Sequence, residues 1–93
     1  MAIETVPFDA AEFLDTEEEQ VRFLADAMEE GDAAYIAHAI GIVARARGMS
    51  KIAEDAGLSR ESLYRALSQK GDPRLSTLLG VVKAMGMKLS IAA

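Results

Sequence analysis

The stretch SKIAEDAGLSRESLYRAL, from Ser50 to Leu67, constrains the fold of this chain more than any other. Helix-forming residues flank Gly57, and glycine can adopt the positive φ that a tight turn between two helices requires. Ala53 supplies a small residue where the two helices would touch. The apolar residues that would lock the pair together are Ile52, Ala56, Leu58, Leu63 and Ala66. The stretch predicts a helix-turn-helix unit, and an unrelated helical hairpin is the alternative.

Capping residues and glycines divide the chain into five predicted helices. The predicted N-caps are Thr16, Asp32, Ser50 and Ser59, and the glycines predicted to end helices are Gly31, Gly48, Gly57 and Gly86. Thr16 also has the spacing to Glu19 of a capping box. The third helix would cover residues 51–56 and the fourth 60–68, and a turn over 69–74 would precede the fifth.

Apolar residues at helical spacing predict which face of each helix is buried. The predicted faces are Val21, Leu24, Ala25 and Met28 on the first helix, Ile36, Ala39, Ile40 and Val43 on the second, and Leu75, Leu78, Leu79, Val82 and Met85 on the fifth. Gly41 lies inside the second helix at a cost of roughly 1 kcal/mol relative to alanine. A close approach by another helix would explain its presence.

The C-terminal residues alternate between apolar and polar side chains, with Met87, Leu89 and Ile91 on one side, which predicts a half-buried strand over 87–93. A strand needs a neighbour for its backbone hydrogen bonds. Residues 3–6 could supply it, or the same strand of a second subunit. We favour the second arrangement, a homodimer with the fifth helix packed nearby. The predicted organisation is an N-terminal arm (1–15), a helical domain (16–86) and this strand.

Several classes of protein are disfavoured by what the sequence lacks. The chain has no cysteine, which excludes disulfides, thiolate zinc sites and a cysteine nucleophile. No secretion signal and no membrane-spanning run is recognisable, so we expect a cytoplasmic protein. His38 is the only histidine and has no partner at catalytic or metal-ligand spacing. Glu17, Glu18 and Glu19 diverge by ~100° per residue on a helix and form no metal cage. We expect neither an enzyme nor a cofactor.

Charge is distributed unevenly along a chain whose net charge is −5. Residues 1–48 contain eleven acidic and three basic residues, and residues 49–93 contain four acidic and seven basic residues. The C-terminal half, which includes the predicted helix-turn-helix unit, is therefore positive. A local positive field suffices to attract phosphate, because charges beyond a Debye length of about 8 Å are screened.

The fourth helix has a predicted outward face that carries the candidate DNA contacts. With Leu63 pointing inward, Glu61 and Arg65 point outward, Tyr64 flanks them, and Arg60 lies in the first turn. Arginine can donate two hydrogen bonds to guanine, and glutamate can accept one from cytosine. Glu61 could instead orient Arg65, Arg65 could be an ordinary solvated residue, and Tyr64 could be partly buried. The candidate phosphate contacts are Ser50, Lys51, Ser59 and Lys70.

The blocks "EEGD", "ARARGM", "GLSRESLY" and "GDP" resemble the addiction-module antidote proteins, over about residues 8 to 91. These are antitoxins of bacterial type II toxin–antitoxin pairs, related to Xre/Cro-like helix-turn-helix repressors. The resemblance implies a lambda-repressor-like, five-helix domain and a partner, a small basic toxin of the RelE/ParE kind. It also implies repression of the pair's own operon. Arg60, Glu61, Tyr64 and Arg65 match the family's recognition helix.

The acidic N-terminal half could complement such a basic toxin and speed association. Apolar anchors for that contact would be Phe8, Phe13, Leu14, Phe23 and Met28. The alternative is that these acids form a solvated, capped helix face and that the aromatic residues are core. The main alternative function is a stand-alone Xre/Cro-like regulator without a toxin. A pure interaction adaptor, whose helical pair binds protein, is a further alternative.

Overall fold

The computed structural model describes residues 14–68 and 70–92. Five α-helices follow one another in the order α1 (Glu17–Glu30), α2 (Ala33–Arg47), α3 (Met49–Asp55), α4 (Arg60–Ala66) and α5 (Leu75–Ala84). No described residue belongs to a strand. Over this part of the chain, the predicted all-helical class and the predicted helices are confirmed.

The first two helices begin and end at the predicted residues. The Thr16 hydroxyl accepts a hydrogen bond from the Glu19 backbone N–H at 3.2 Å, and the Thr16 backbone N–H donates to the Glu19 carboxylate at 3.3 Å. These reciprocal bonds form the predicted capping box. Gly31 ends α1 at φ 70°. Asp32 then caps α2 by accepting from the Ala34 N–H at 3.2 Å.

The prediction that Ser50 caps the third helix is wrong. Gly48 occupies the N-cap position without a side-chain hydrogen bond. Its carbonyl accepts the first helical bond, from the Ile52 N–H at 3.2 Å. The helix begins earlier because Met49 is buried in the core. Met49 is itself the first helical residue, so Ser50 lies within the first turn and is exposed.

The helices enclose one apolar core, to which all five contribute. Its fully buried large side chains are Ile40, Val43, Leu63, Val81 and Met85. The predicted inner face of α2 is confirmed at Ala39, Ile40 and Val43, and Ile36 packs against the core while half-buried. Against the prediction for α5, Leu75 and Leu79 are exposed and Val81 is buried. The buried stripe of α5 therefore lies toward its C-terminal half.

The buried face of α1 differs from the predicted one. Leu24, Ala27 and the polar Gln20 point inward, whereas Val21 and Met28 are exposed. Gln20 is 5 % exposed. Its side-chain amide donates to the Leu14 carbonyl at 3.0 Å and accepts from Arg47 Nε at 2.7 Å. These bonds satisfy the buried amide and turn α1 so that Val21 and Met28 face outward.

The predicted C-terminal strand is wrong for residues 87–92. The Met87 N–H donates to the Val82 carbonyl at 3.0 Å, so the chain turns back at Gly86 and continues without regular structure. An alternating pattern alone cannot hold a strand, because its hydrogen bonds require a second strand alongside. Residues 3–6, Phe8 and Phe13 of the predicted arm lie outside the described residues. Leu14 is buried.

Two glycines inside helices give a matched prediction about stability. Gly80 lies in α5, where an added methyl group would meet no atom within 4 Å. Gly80→Ala should therefore raise the free energy of unfolding by about 0.5–1 kcal/mol, the usual helix-propensity difference. At Gly41, an added methyl group would lie 3.1 Å from the Leu67 Cβ and from its carbonyl oxygen.

Gly41→Ala should gain the same stabilisation from helix propensity, but crowding against Leu67 should cancel it. Leu67 is buried and cannot move away from the added methyl group. Chemical denaturation of both variants measures the difference. Equal stabilisation by the two substitutions would show that α2 and Leu67 do not pack as closely as described. The tight contact is the close approach predicted from the position of Gly41.

Candidate nucleic-acid interface

Gly57 makes the turn between α3 and α4, as predicted. Its φ is 74°. The Gly57 N–H donates to the Glu54 carbonyl at 3.1 Å, and the Leu58 N–H donates to the Ala53 carbonyl at 2.8 Å. This pair of bonds is a Schellman motif, which ends a helix and satisfies its last carbonyls. The turn brings the start of α4 close to the end of α3, with only residues 56–59 between them.

The start of α4 is fixed by Ser59, also as predicted. The Ser59 hydroxyl accepts from the Ser62 N–H at 3.0 Å and forms a second bond with the Ser62 hydroxyl at 2.8 Å. The helix ends two residues before the predicted boundary. In its last turn, the Ser68 N–H donates to the Arg65 carbonyl only three residues back, which is the tighter geometry common at helix ends.

The inward side of α4 is Leu63, which is fully buried, with Leu67 buried just beyond the helix. On the outward side of α4, the four candidate DNA-contacting side chains are exposed: Arg60, Glu61, Tyr64 and Arg65. Because α4 has only seven residues, this one exposed face presents all four within two turns. The assignment of inward and outward sides made from the sequence is thus confirmed.

Arg60 and Tyr64 contact each other across one turn of α4. The Arg60 guanidinium carbon lies 5.5 Å from the centre of the Tyr64 ring, and Arg60 Nη2 donates to the Tyr64 hydroxyl at 3.4 Å. Tyr64 remains 40 % exposed. The ring therefore limits the orientations of an otherwise mobile arginine. No ion pair joins Glu61 to Arg65, so the interpretation that Glu61 orients Arg65 is not supported.

The candidate phosphate contacts are exposed, and they differ in what their polar groups already bind. Lys51 lies in the first turn of α3 and Lys70 in the connection after α4. The Ser59 hydroxyl is occupied by the cap described above. Ser50 is exposed in the first turn of α3. The lysines could therefore contact phosphate without breaking a bond that stabilises the fold. A phosphate contact by the Ser59 hydroxyl would compete with the hydrogen bond that caps α4.

A small cavity of about 150 Å³ beside Tyr64 adds residues that the sequence analysis did not single out for the site. It lies between α2 and α4, and His38, Arg45 and Ser68 are among its lining residues. Arg45 thereby adds a second basic group next to Tyr64. The sequence feature that could have indicated this contact is Gly41, which lets Leu67, just after α4, lie close to α2.

Two other kinds of site are absent from the described part of the chain. No group of three or more His, Cys, Asp or Glu side chains there could hold a metal ion. None of its helices is long and apolar enough to cross a membrane.

The molecule is thus an all-helical domain whose short α4 exposes two arginines, a glutamate and a tyrosine on a base of buried leucines. The chain belongs to the family described as "Probable addiction module antidote protein", whose model matches residues 4–93. It is 45 % identical over 84 residues to a protein of Haemophilus influenzae (strain Rd) described as uncharacterized, covering 90 % of this chain and 87 % of that relative. No solved structure matches the chain. Family membership suggests an antitoxin role and implies a cognate toxin partner.

Proposed function

We propose that this protein is a type II antitoxin that represses its own operon by binding operator DNA through α4. In this proposal it acts in the cytoplasm and also neutralises a small basic RelE/ParE-like toxin. The observation that carries the DNA half is the exposed face of α4, which presents Arg60, Glu61, Tyr64 and Arg65 together. The antidote half rests on the family to which the chain belongs.

In the proposed complex, α4 enters the major groove of the duplex with its first turn toward the bases. Arg60 and Arg65 would each donate two hydrogen bonds to a guanine, and Glu61 would accept one from a cytosine amino group. Glu61 repels phosphate, so its presence on this face is useful only if it meets a base edge. Together these side chains form a Xre/Cro-like recognition surface.

Phosphate contacts would fix the position of α4 in the groove. Lys51 and Lys70 are the stronger candidates, because neither has a hydrogen bond or ion pair with another described side chain. Ser50 and Ser59 would add weaker contacts. A homodimer would place two copies of α4 in successive major grooves, ~34 Å apart, on a pseudo-palindromic site.

Two substitutions of Tyr64 distinguish the contribution of its ring to operator binding from that of its hydroxyl group. Tyr64→Phe keeps the ring beneath Arg60 and should weaken operator binding by no more than about threefold. Tyr64→Ala removes the ring and should weaken it by about fivefold to tenfold, since an exposed cation–π contact contributes roughly 0.5–1 kcal/mol and the ring also covers the duplex. Fluorescence anisotropy with a labelled operator measures both values. Equal losses would indicate that only the hydroxyl group matters.

The proposal is tested by a mobility-shift titration on the DNA upstream of the chain's own gene. The expected result is a discrete complex that a shuffled duplex does not form, and that weakens about a hundredfold between 50 and 200 mM salt if some four phosphates are contacted. The toxin would be encoded by a small basic reading frame beside this gene, and adding its product should alter the shifted complex. A shift without any effect of that product would favour a stand-alone regulator. No shift at low salt would contradict DNA binding.

A further inference from the structure

An open groove lies between α1 and the C-terminal segment 86–92 and is not used by the DNA-binding proposal. We call it the α1 groove. One wall is formed by Val21, Leu24, Ala25 and Met28, and the opposite wall includes Met87 and Leu89. α2 and α5 contribute to its floor, and its volume is about 700 Å³. That volume is large enough for several apolar side chains of a partner.

The α1 wall of this groove is the helical stripe that the sequence predicts as buried. In the folded chain Val21 is 47 % and Met28 38 % exposed, and Leu89 across the groove is 39 % exposed. Burial of Gln20 directs Val21 and Met28 away from the core, and of the large side chains in this stripe the core takes up only Leu24. Exposed apolar side chains that face a second apolar wall are typical of a surface that a partner covers.

The charges around the α1 groove restrict which partner can cover it. Residues 14–32, which contain α1, hold eight carboxylates and one arginine, a net charge of −7. Glu17 and Glu29 line the α1 side of the groove, and Lys88 lines the opposite side. Residues 33–92 hold nine basic and four acidic residues, a net charge of +5. The groove is therefore apolar inside and strongly acidic along its α1 side, which favours a basic occupant.

We propose that the α1 groove binds a basic segment of the cognate toxin that inserts apolar side chains between Val21, Met28 and Leu89. This inference rests on the antidote function proposed above and assigns that function a surface. A second copy of α1 would bring two segments of charge −7 together. Residues 2–13 of the chain are also acidic, with Glu4, Asp9 and Glu12 and no basic side chain. Charge therefore disfavours both of these occupants.

The α1 groove is separate from the candidate DNA-contacting face. None of its lining residues belongs to α3 or α4, and α1 packs against α2. A toxin in the groove would leave Arg60 and Arg65 uncovered. Toxin and operator should therefore bind the same chain at the same time, and substitutions in one surface should leave the other binding activity intact.

The test compares two double variants of the full chain for binding to the purified product of the adjacent basic reading frame. Val21→Ser with Met28→Ser alters the groove. Leu75→Ser with Leu79→Ser is the matched control, because these leucines are exposed on α5 and do not line the groove. We expect the groove variant to bind at least about tenfold more weakly and the control within about twofold of the parent chain. Operator affinity should be unchanged in both, and circular dichroism should confirm their helicity.

The possible outcomes separate this inference from the proposed function. Equal affinity of the parent chain and the groove variant would overturn the groove as the toxin site, while toxin binding itself would stand. No binding by the parent chain would overturn the antidote function and the inference together. Self-association of the parent chain that is lost in the groove variant, measured by sedimentation, would assign the groove to a second copy and overturn the inference. Hydrogen-exchange protection of residues 17–29 and 86–92 by the toxin is the supporting result.

Discussion

Replacing Arg60 and Arg65 together by alanine is expected to abolish specific operator binding without unfolding the protein. Both side chains are exposed on α4, so their removal should change the free energy of unfolding by less than about 1 kcal/mol. Each bidentate contact to guanine contributes roughly 1–3 kcal/mol. The double variant should therefore bind at least about thirtyfold more weakly in fluorescence anisotropy at fixed salt.

A matched pair controls for the loss of two positive charges. Arg22 on α1 and Lys83 on α5 are also exposed, and replacing both by alanine changes the net charge equally. This control should keep operator affinity within about threefold of the parent chain. If both double variants lost affinity to the same extent, a diffuse electrostatic field would explain binding and α4 would have no special role.

Leu63→Ala is expected to be the most damaging single substitution in α4. Leu63 is fully buried in the common core with Ile40 and Val43, and truncating a buried leucine costs about 2–5 kcal/mol. Domains of this size have a total stability of only about 5–15 kcal/mol. Thermal unfolding followed by circular dichroism should therefore show a melting temperature at least about 10 °C lower.

Leu79→Ala provides the comparison, because Leu79 is 46 % exposed on α5. The same change of side chain at that position should cost less than about 1 kcal/mol. If Leu63→Ala lowered the free energy of unfolding no more than Leu79→Ala does, α4 would not be held to the core through Leu63. The positions assigned to the four outward side chains would then be wrong as well.

The candidate interface was largely predictable from the sequence, because its determinants are local. Gly57, the Ser59 cap and the inward Leu63 lie within seven residues of one another. Each acts through hydrogen bonds or helical spacing over at most five residues, as the bonds at the α3–α4 turn show. Sequence reasoning treats such short-range effects well, and it identified the outward face of α4 correctly.

The errors concern contacts between residues that are distant in the sequence. Gln20 is buried because Arg47, 27 residues away, and the Leu14 carbonyl satisfy its amide. Helical periodicity does not reveal these hydrogen bonds. The buried face predicted for α1 is therefore displaced around the helix from the observed one, which includes Gln20. The C-terminal pattern failed for a related reason, since alternation says nothing about whether a second strand is present.

The most direct test of the central claim is a nuclear magnetic resonance titration of the isotopically labelled chain with duplex DNA from upstream of its own gene. At low ionic strength, the account predicts that the largest chemical-shift changes occur at residues 59–65 and in the guanidinium groups of Arg60 and Arg65. A shuffled duplex should produce smaller changes at the same residues. Unchanged resonances in α4, with the duplex present in excess, would contradict the account.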